Sequence, residues 1–277
     1  MNADLYCVMG NPVEHSKSPW IHTRFAQLTG QQLKYGKRLI PLDGFMQAVH
    51  SFRAEGGKGC NVTVPFKFEA PAVATQLTPR AQLARASNTL RFDGDRVLAD
   101  NTDGVGLLND IRHNAGVDLA GIDLLLIGAG GAASGVLGPL IEARPRRIVV
   151  ANRTQAKAAS LIQRHGPLAL RCGVELEAPE LAQLRGAYAV VVNATATSLT
   201  GSAVPVSASV LKPRALACDM MYGPAAQDFL QWAREHGAIA RDGLGMLVEQ
   251  AAESFLVWRG VRPPSTQVLA ELRATLC

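Results

Sequence analysis

The feature that most constrains the fold of this chain is an apolar run that breaks into a glycine-rich turn. Leu124-Leu125-Leu126-Ile127 is followed directly by Gly128-Ala129-Gly130-Gly131-Ala132-Ala133. A strand, a G-x-G-x-x-A turn and a helix of small residues bring backbone N–H groups and a helix N-terminus to one place, where they bind a pyrophosphate. Glycine is needed in such a turn because a Cβ would obstruct the phosphates. The segment from residue 122 therefore predicts a dinucleotide-binding site.

The end of the next apolar run indicates which dinucleotide. An NAD site usually has an acidic residue about 20 positions further on, which holds the ribose 2′-hydroxyl. Here the run 147–151 ends instead in Asn152-Arg153-Thr154. A guanidinium suits a 2′-phosphate, because its fork of N–H donors matches phosphate geometry. We therefore interpret the cofactor as NADP, with Arg153, Thr154 and Lys157 around the 2′-phosphate.

Composition argues against several other classes of protein. The 277 residues are 48% apolar and 18% charged, which is ordinary for a globular protein of two domains. No apolar run approaches the length of about 18 residues that spans a membrane, and the N-terminus has no signal-like core, so we expect a cytoplasmic protein. Lys and Arg are dispersed, which disfavours a nucleic-acid partner despite the net charge of +5. The five cysteines lack metal-binding spacing, and we expect no metal.

Two α/β lobes are predicted from the apolar pattern. From residue 122 to 240, strand-length runs alternate with helical stretches, which predicts a doubly wound parallel sheet. The predicted strands there are 122–127, 147–151, 187–193 and 215–219. The preceding lobe has predicted strands 5–10, 34–40, 59–64 and 88–91 and helices 19–28 and 45–54. The segment 243–259 has apolar residues at three-to-four spacing, which predicts an amphipathic helix that packs back on the lobes.

Two polar blocks stand at predicted strand ends in the first lobe. They are 61–67, which ends in Lys67, and 100–104, which contains Asp103. Period-two alternation over 61–66 predicts a polar face and an apolar face, with Val64 and Phe66 on the apolar one. Ligands of open α/β sheets bind beyond the carboxyl ends of strands. We therefore predict that Lys67 and Asp103 handle the proton of a reacting hydroxyl.

A third block, residues 10–19, lies between the first strand and a helix. The hydroxyls of Ser16 and Ser18 are suited to an anion, and a helix N-terminus favours a carboxylate. Ser18 is also a predicted N-cap, because Pro19 follows it at the first helical position.

Taken together, the motifs resemble the shikimate dehydrogenase family over nearly the whole chain. The matching segments are 10–19, 59–67, 86–89, 100–104, the Gly128 turn, 152–154, 219–222 and 242–250. The resemblance implies reversible, NADPH-dependent reduction of 3-dehydroshikimate to shikimate in aromatic amino-acid biosynthesis. It also implies an N-terminal substrate domain, residues 1–103 completed by 243–277, and a Rossmann NADP domain, residues 104–242, closed by C-terminal helices. A small-molecule substrate and a monomer or homodimer are expected.

The resemblance implies a role for each matching residue. Lys67 and Asp103 match the catalytic pair. The substrate ligands implied are Ser16, Ser18, Thr63 and Tyr222 near the carboxylate, and Asn61, Asn88 and Gln250 at the ring hydroxyls. The predicted cofactor residues are Gly128, Ala129, Gly130, Gly131, Ala132, Asn152, Arg153, Thr154, Lys157, Thr195, Met220 and Gly243.

The chain departs from the family pattern at two places. The family often has serine and then arginine after Gly-Gly-Ala, whereas this chain has Ala133 and Ser134. The segment after Asn193-Ala194-Thr195 reads Ala196-Thr197-Ser198-Leu199, without the glycine that commonly follows. We expect both departures to affect cofactor affinity and not the type of reaction.

Two alternatives remain open at this point. A quinate/shikimate dehydrogenase that prefers NAD would favour an acidic residue near 152–154, which this chain lacks. A sensor that binds nucleotide and an acidic metabolite would not need both Lys67 and Asp103. Turnover separates the sensor from the enzymes.

Overall fold

A computed structural model describes residues 3–195 and 204–276 of the chain. The chain divides into two compact units. Unit 1 comprises Met1–Gly106 and Leu247–Cys277, and unit 2 comprises Leu107–Met246. The domain boundaries inferred from the sequence differ from these limits by a few residues and stay a prediction.

The elements are numbered along the chain. The strands are β1 (Asp4–Gly10), β2 (Leu33–Leu39), β3 (Gly57–Val62), β4 (Gln76–Leu77), β5 (Thr89–Asp93), β6 (Arg96–Asp100), β7 (Asp123–Ile127), β8 (Arg147–Ala151), β9 (Glu175–Glu177), β10 (Tyr188–Asn193), β11 (Leu211–Asp219) and β12 (Ile239–Arg241). The helices are α1 (Ser18–Thr29), α2 (Phe45–Ala54), α3 (Pro79–Ala84), α4 (Asp103–Asn109), α5 (Gly131–Glu142), α6 (Gln155–Cys172), α7 (Gln227–Glu235), α8 (Leu244–Arg259) and α9 (Ser265–Ala274).

Unit 2 contains the predicted doubly wound sheet. Its strand order is β12-β11-β10-β7-β8-β9, and every neighbouring pair is parallel. The chain order reverses between β7 and β10, and ligands of such sheets bind at that point, beyond the carboxyl ends of the strands. The turn that follows β7 is the glycine-rich one, so the fold places it where a dinucleotide binds.

The residues of β7 explain why this strand is central. Leu124 and Leu126 pack into an apolar cluster on one face of the sheet, and Leu125 and Ile127 pack into a second cluster on the other face. All four are at most 1% exposed. A strand covered by helices on both faces needs an unbroken apolar run and not an alternating one.

Unit 1 has a mixed sheet with the strand order β2-β1-β3-β5-β6-β4. β1 pairs in parallel with β2 and β3, whereas β5 is antiparallel to both β3 and β6. The α/β class and the two-lobed fold are confirmed. The β5–β6 hairpin was not predicted, although its turn contains Gly94 in the left-handed region.

The predicted alternation over 61–66 is wrong beyond Val62. β3 ends at Val62, and Phe66 begins a short 3-10 turn. Val64 is 62% exposed, whereas Phe66 is fully buried in the apolar cluster of unit 1. The chain leaves the sheet after Val62, so side chains no longer alternate between its two faces.

Candidate active site

The two side chains predicted to handle a proton are paired. Lys67 lies in the 3-10 turn Phe66–Phe68, just after β3, and Asp103 is the first residue of α4. Lys67 Nζ donates to Asp103 Oδ2 at 2.6 Å, and the two side chains are 19% and 5% exposed. A partly accessible ammonium held by a buried carboxylate is suited to give a proton to a small ligand.

Asn88 holds the other carboxylate oxygen of Asp103. Asn88 Nδ2 donates to Asp103 Oδ1 at 2.8 Å. The amide orientation is fixed because Asn88 Oδ1 accepts from the backbone N–H of Thr102 at 2.8 Å. The backbone N–H of Asp103 donates to Asn101 Oδ1 at 3.2 Å. The carboxylate is therefore fixed at one oxygen by Lys67 and at the other by Asn88.

Gln250, on α8, lies against the same group. Its Oε1 is 3.2 Å from Asn88 Nδ2 and 3.4 Å from Thr102 Oγ1, and its Nε2 donates to the carbonyl of Leu247 at 2.8 Å. Gln250 is 8% exposed. The acid-base pair, Asn88 and Gln250 thus form one cluster in unit 1.

Asn61, near the end of β3, is held by four neighbours. The Tyr35 hydroxyl donates to Asn61 Oδ1 at 2.6 Å. Asn61 Nδ2 lies 3.1 Å from the carbonyl of Asn88, 3.2 Å from Thr89 Oγ1 and 3.0 Å from Ser254 Oγ. Burial raises the pKa of the Tyr35 phenol well above its usual range, so Tyr35 stays protonated and donates. The Asn61 amide is therefore oriented with its oxygen toward Tyr35.

Several of these partners were missed by the sequence interpretation. Thr102 stands inside the polar block 100–104 but received no role. Ser254 follows Gln250 by four residues, and helical spacing would have placed both on one face of α8. No sequence motif marks Tyr35 or Thr89 as a partner of Asn61, because only the pairing of strands brings these residues together.

The segment from Gly10 to Ser18, which contains Ser16, begins beside the loop that carries Thr63. The backbone N–H of Thr63 donates to the carbonyl of Met9 at 2.9 Å. A Cβ on Gly10 would lie 2.3 Å from Thr63 Cγ2, so a glycine is required where the two loops meet. The predicted serine and threonine hydroxyls therefore come from two segments of unit 1 that meet at Gly10 and Thr63.

The prediction that Ser18 is the N-cap of α1 is wrong. The helix begins at Ser18 itself, and Lys17 occupies the cap position. The side chain that accepts the backbone N–H of Ser18, at 3.3 Å, is that of Ser16. The neighbouring Ser18 hydroxyl opposes the rise in the pKa of the Tyr35 phenol that burial causes.

The Gly128 turn of unit 2 has the geometry of a phosphate-binding turn. Gly128 has φ +111°, and a Cβ there would lie 3.0 Å from the backbone of Ala194. Its backbone N–H donates to the carbonyl of Ala151 at 2.8 Å. α5 begins at Gly131 without a side-chain cap, and a Cβ on Gly130 would meet no atom within 4 Å. Open space beside an uncapped helix N-terminus fits the pyrophosphate of a dinucleotide.

The segment after β8 presents polar groups to solvent. Asn152 Nδ2 donates to the carbonyl of Thr154 at 2.8 Å, which closes the turn that carries Arg153. Arg153, Thr154 and Lys157 are exposed. Within the described residues, Arg153 forms no ion pair with a carboxylate. An exposed guanidinium at the end of the second strand fits a 2′-phosphate.

Three further predicted cofactor residues, Thr195, Met220 and Gly243, lie just after the carboxyl ends of β10, β11 and β12 respectively. Thr195 Oγ1 donates to Asn193 Oδ1 at 2.7 Å. A Cβ on Gly243 would lie 2.4 Å from the Met220 carbonyl, so only glycine allows these two backbones to approach. Tyr222, just after β11, belongs to unit 2, whereas the other predicted substrate ligands belong to unit 1. Its role stays a prediction.

One departure from the family pattern has a structural counterpart. Ser134, where the family often has arginine, accepts a hydrogen bond at 3.3 Å from Arg164 Nη1 of α6. The guanidinium of Arg164 therefore lies near the first turn of α5, although α5 itself has no arginine in that turn. The second departure, Ala196-Thr197-Ser198-Leu199, lies outside the described residues.

Features of other kinds of site are not found in the described part of the chain. In residues 3–195 and 204–276, no three His, Cys, Asp or Glu side chains are grouped so as to hold a metal ion. Over the same residues, none of the helices has the length and apolar character needed to cross a membrane. His22 is fully buried, and its ring stacks on Tyr35 at 4.4 Å between centroids. Burial lowers the pKa of His22 to about 3, so the ring is neutral and packs as an aromatic group.

Comparison with known proteins identifies the family. Residues 8–90 match the shikimate dehydrogenase substrate binding domain, residues 111–204 match shikimate / quinate 5-dehydrogenase, and residues 243–273 match the shikimate 5′-dehydrogenase C-terminal domain. A shikimate dehydrogenase (NADP(+)) from Acidovorax sp. strain JS42 is 65% identical over 99% of this chain and 97% of its own length. The chain belongs to the shikimate dehydrogenase family.

Solved structures agree with this family assignment. An Ael1 enzyme from Pseudomonas putida is 47% identical, with a TM-score of 0.89 and 98% of each chain covered. Shikimate 5-dehydrogenase from Thermus thermophilus, in complex with NADP(H) and shikimate, is 29% identical, with a TM-score of 0.85. That match covers 99% of this chain and 100% of the Thermus chain. The two-lobed Rossmann architecture inferred from the sequence is therefore that of the family.

Proposed function

We propose that this chain catalyses the reversible NADPH-dependent reduction of 3-dehydroshikimate to shikimate, with Lys67 as the proton donor and Asp103 as its partner. The observation that carries the proposal is the 2.6 Å contact between Lys67 Nζ and Asp103 Oδ2. Curated relatives at 60 to 65% identity are named shikimate dehydrogenase (NADP(+)), which supports both the reaction and the cofactor.

Lys67 serves the oxygen of the reacting carbonyl. As the carbonyl becomes an alcohol, its oxygen develops negative charge and needs a proton, which the ammonium of Lys67 gives. In the oxidative direction Lys67 accepts that proton. Asp103 keeps the ammonium in place, and Asn88 prevents the carboxylate from rotating. When bound, NADPH supplies the hydride.

Apart from Tyr222 of unit 2, the proposed substrate ligands are neutral polar side chains of unit 1 around this pair. Ser16, Ser18 at the start of α1, and Thr63 offer hydroxyl donors to the carboxylate. Asn88 and Gln250 offer amide groups to the ring hydroxyls. We keep Asn61 and Tyr222 as further ligands, near a ring hydroxyl and the carboxylate respectively. A ring with several hydroxyls needs such an array, because each unpaired buried polar group lowers affinity.

NADP is held by unit 2. The backbone of Gly128, Ala129, Gly130, Gly131 and Ala132 takes the pyrophosphate. Arg153 and Lys157 supply charge to the 2′-phosphate, with Asn152 and Thr154 donating beside them. Thr195, Met220 and Gly243 line the remainder of the site. We place the substrate domain at residues 1–103 with 243–277 and the NADP domain at 104–242, so Gly243 stands at the boundary between them.

Oxidation of quinate is the second candidate activity. The family model that matches residues 111–204 is described as shikimate / quinate 5-dehydrogenase, which favours testing both acids. The exposed Arg153, in place of an acidic residue, favours NADP over NAD in either case.

Four initial rates test the proposal. The absorbance of the reduced nicotinamide is followed with shikimate or quinate, each paired with NADP+ or NAD+. We expect fast turnover with shikimate and NADP+ and far slower turnover in the other three pairs. Comparable rates with quinate or NAD+ would favour the broader-specificity dehydrogenase. Binding of both ligands without turnover would favour the sensor.

We also infer a cytoplasmic protein that acts as a monomer or homodimer. Light scattering of the purified protein measures its mass in solution, and fractionation of its host locates it. A larger assembly, or recovery with membranes, would contradict this inference.

A further inference from the structure

One buried hydroxyl at the centre of the polar cluster of unit 1 has no role in the proposed mechanism. Ser254 lies on α8, one turn after Gln250, and is 0% exposed. Its Oγ donates to the carbonyl of Gln250 at 3.0 Å. Within a helix such a bond slightly destabilises the helix, so it does not by itself explain a hydroxyl at this position.

The other neighbours of Ser254 come from three separate segments of unit 1. Its Oγ accepts from Asn61 Nδ2 at 3.0 Å, which links α8 to β3. The hydroxyl of Thr89, at the start of β5, lies 2.8 Å away. The hydroxyl of Thr102, next to Asp103, lies 3.1 Å away. Ser254 is therefore the point where the helix carrying Gln250 meets the segments that carry Asn61 and Asp103.

The Ser254 hydroxyl can use all of its hydrogen-bonding capacity within this cluster. A serine hydroxyl has one proton and two lone pairs. Asn61 Nδ2 is only a donor, so it occupies one lone pair of Ser254 Oγ. The proton given to Gln250 leaves the second lone pair for a threonine hydroxyl. Asn61, Thr89 and Thr102 are each at most 6% exposed, so bulk water does not replace a partner that is lost.

We propose that Ser254 is a positioning residue for the substrate, which holds Asn61 and Gln250 in place relative to each other and to the acid-base pair. It acts through those amides and does not itself touch the substrate. This inference rests on the proposed function. Without the hydroxyl, the orientation of the Asn61 amide is held less firmly. The hydrogen bond between Ser254 on α8 and Asn61 on β3 is also lost.

The first test is the variant Ser254→Ala, assayed with shikimate and NADP+ well below its melting temperature. We expect KM for shikimate to rise about 5- to 150-fold, the range that corresponds to leaving one buried polar group unpaired. We expect kcat to change much less, because the contact between Lys67 and Asp103 does not involve Ser254. KM for NADP+ should stay at the wild-type value, since no partner of Ser254 lies in the Gly128 turn.

A matched control and a rescue separate positioning from mere stability. Thr29→Ala removes a hydroxyl that also bonds to the carbonyl four residues earlier, at 2.7 Å, but on α1 and away from the cluster. It should leave both KM values unchanged. Ser254→Thr keeps the hydroxyl and should restore most of the shikimate affinity. A lower melting temperature of Ser254→Ala with an unchanged KM for shikimate would overturn the proposal.

A double-mutant cycle tests the route of the effect. If Ser254 acts through Asn61, then Ser254→Ala should raise KM for shikimate less in an Asn61→Ala background than in the wild type. Full additivity would overturn this route. If Ser254→Ala does not fold, the comparison of Ser254→Cys with Ser254→Thr takes its place. The weakly bonding thiol should raise KM, and a wild-type KM in Ser254→Cys would contradict the proposal.

The outcome for Ser254 is distinguishable from that for the reaction itself. If the wild-type protein oxidises shikimate and Ser254→Ala has an unchanged KM, only the role of Ser254 fails. If the wild-type protein does not oxidise shikimate, the proposed function fails, and the role of Ser254 fails with it.

Discussion

The two units of the chain differ in how many polar side chains they bury. Among the described residues, thirteen buried polar or charged side chains belong to unit 1 and six belong to unit 2. Most of those in unit 1 bond to one another around Lys67 and Asp103. The sheet of unit 2 is covered by apolar clusters on both faces, and its candidate phosphate ligands Arg153, Thr154 and Lys157 are exposed.

This difference follows from the two ligands that the units are proposed to hold. Shikimate is small, so recognising its hydroxyls requires side chains that converge from several segments and remain paired when buried. The phosphates of NADP are strongly charged, so a helix N-terminus, backbone N–H groups and an exposed guanidinium suffice. We therefore expect substitutions in unit 1 to affect turnover and substrate affinity, and substitutions in unit 2 to affect cofactor affinity.

The largest effect is expected at the acid-base pair. Lys67→Ala should lower kcat about 10²- to 10⁴-fold, the usual contribution of a positioned general acid, with a smaller change in KM. Asp103→Asn should be similarly damaging, because it removes the charge that holds Lys67. Steady-state assays with shikimate and NADP+ measure both variants. Near-wild-type turnover of Lys67→Ala would remove Lys67 from the mechanism.

A smaller but more selective effect is expected in unit 2. Arg153→Ala should weaken NADPH binding by about 1.5–3 kcal/mol, or about 10- to 150-fold, because charge-assisted hydrogen bonds to the 2′-phosphate are lost. NADH lacks that phosphate and should bind almost as before. Fluorescence titration with both cofactors measures the effect. Equal losses for NADPH and NADH would show that Arg153 does not hold the 2′-phosphate.

The buried His22 predicts how the stability of unit 1 depends on pH. Its folded pKa, about 3, lies below the value of 6.5 for an exposed histidine, so the unfolded chain binds a proton more readily than the folded one. Stability is therefore lost as the pH falls from 6.5 toward 3, by about 2 kcal/mol at pH 5. In unit 2, burial lowers the pKa of His165 to about 4, so this residue also makes the protein less stable as the pH falls.

Urea unfolding at pH 7 and pH 5 measures this dependence. His22→Phe should lose less stability than the wild type between the two pH values, because phenylalanine stacks on Tyr35 without binding a proton. His165→Gln serves as the corresponding variant in unit 2. An identical pH dependence of His22→Phe and the wild type would exclude His22 as a contributor.

The smallest effect is expected at Lys157. It is exposed, and a solvated point charge adds about 0.2–1 kcal/mol to an ionic contact. Lys157→Ala should therefore weaken NADPH only a few-fold, and a high salt concentration should largely abolish the difference. A loss as large as that of Arg153→Ala would assign Lys157 the main contact to the 2′-phosphate.

The comparison between the units also explains what could be predicted from the sequence. In unit 2 the strand 147–151 was predicted at its observed limits and β7 within one residue, because local apolar runs define buried parallel strands. In unit 1 the polar block 61–67 was found, but the alternation beyond Val62 was wrong, since the strand ends at Val62 and the chain then enters the turn that begins at Phe66. Local pattern does not reveal where a strand ends when polar and apolar residues keep alternating.

The same limit applies to the candidate site. Lys67 and Asp103 could be proposed because each follows a predicted strand and matches a family position. Tyr35 and Thr89 could not, because their contacts with Asn61 depend on how the strands pair. Helical spacing places Ser254 on the Gln250 face of α8, but its contact with Asn61 depends on how that helix packs. Candidate ligands can therefore be predicted from local sequence motifs, whereas the residues that position them depend on contacts between segments distant in the sequence.

A binding matrix tests the division of labour between the units most directly. Calorimetric titration of shikimate and of NADP+ is carried out separately on the wild type, on Asn61→Ala and on Arg153→Ala. Asn61→Ala should weaken shikimate and leave NADP+ unchanged, and Arg153→Ala should weaken NADP+ and leave shikimate unchanged. If either variant weakened both ligands to the same extent, the assignment of substrate to unit 1 and cofactor to unit 2 would be contradicted.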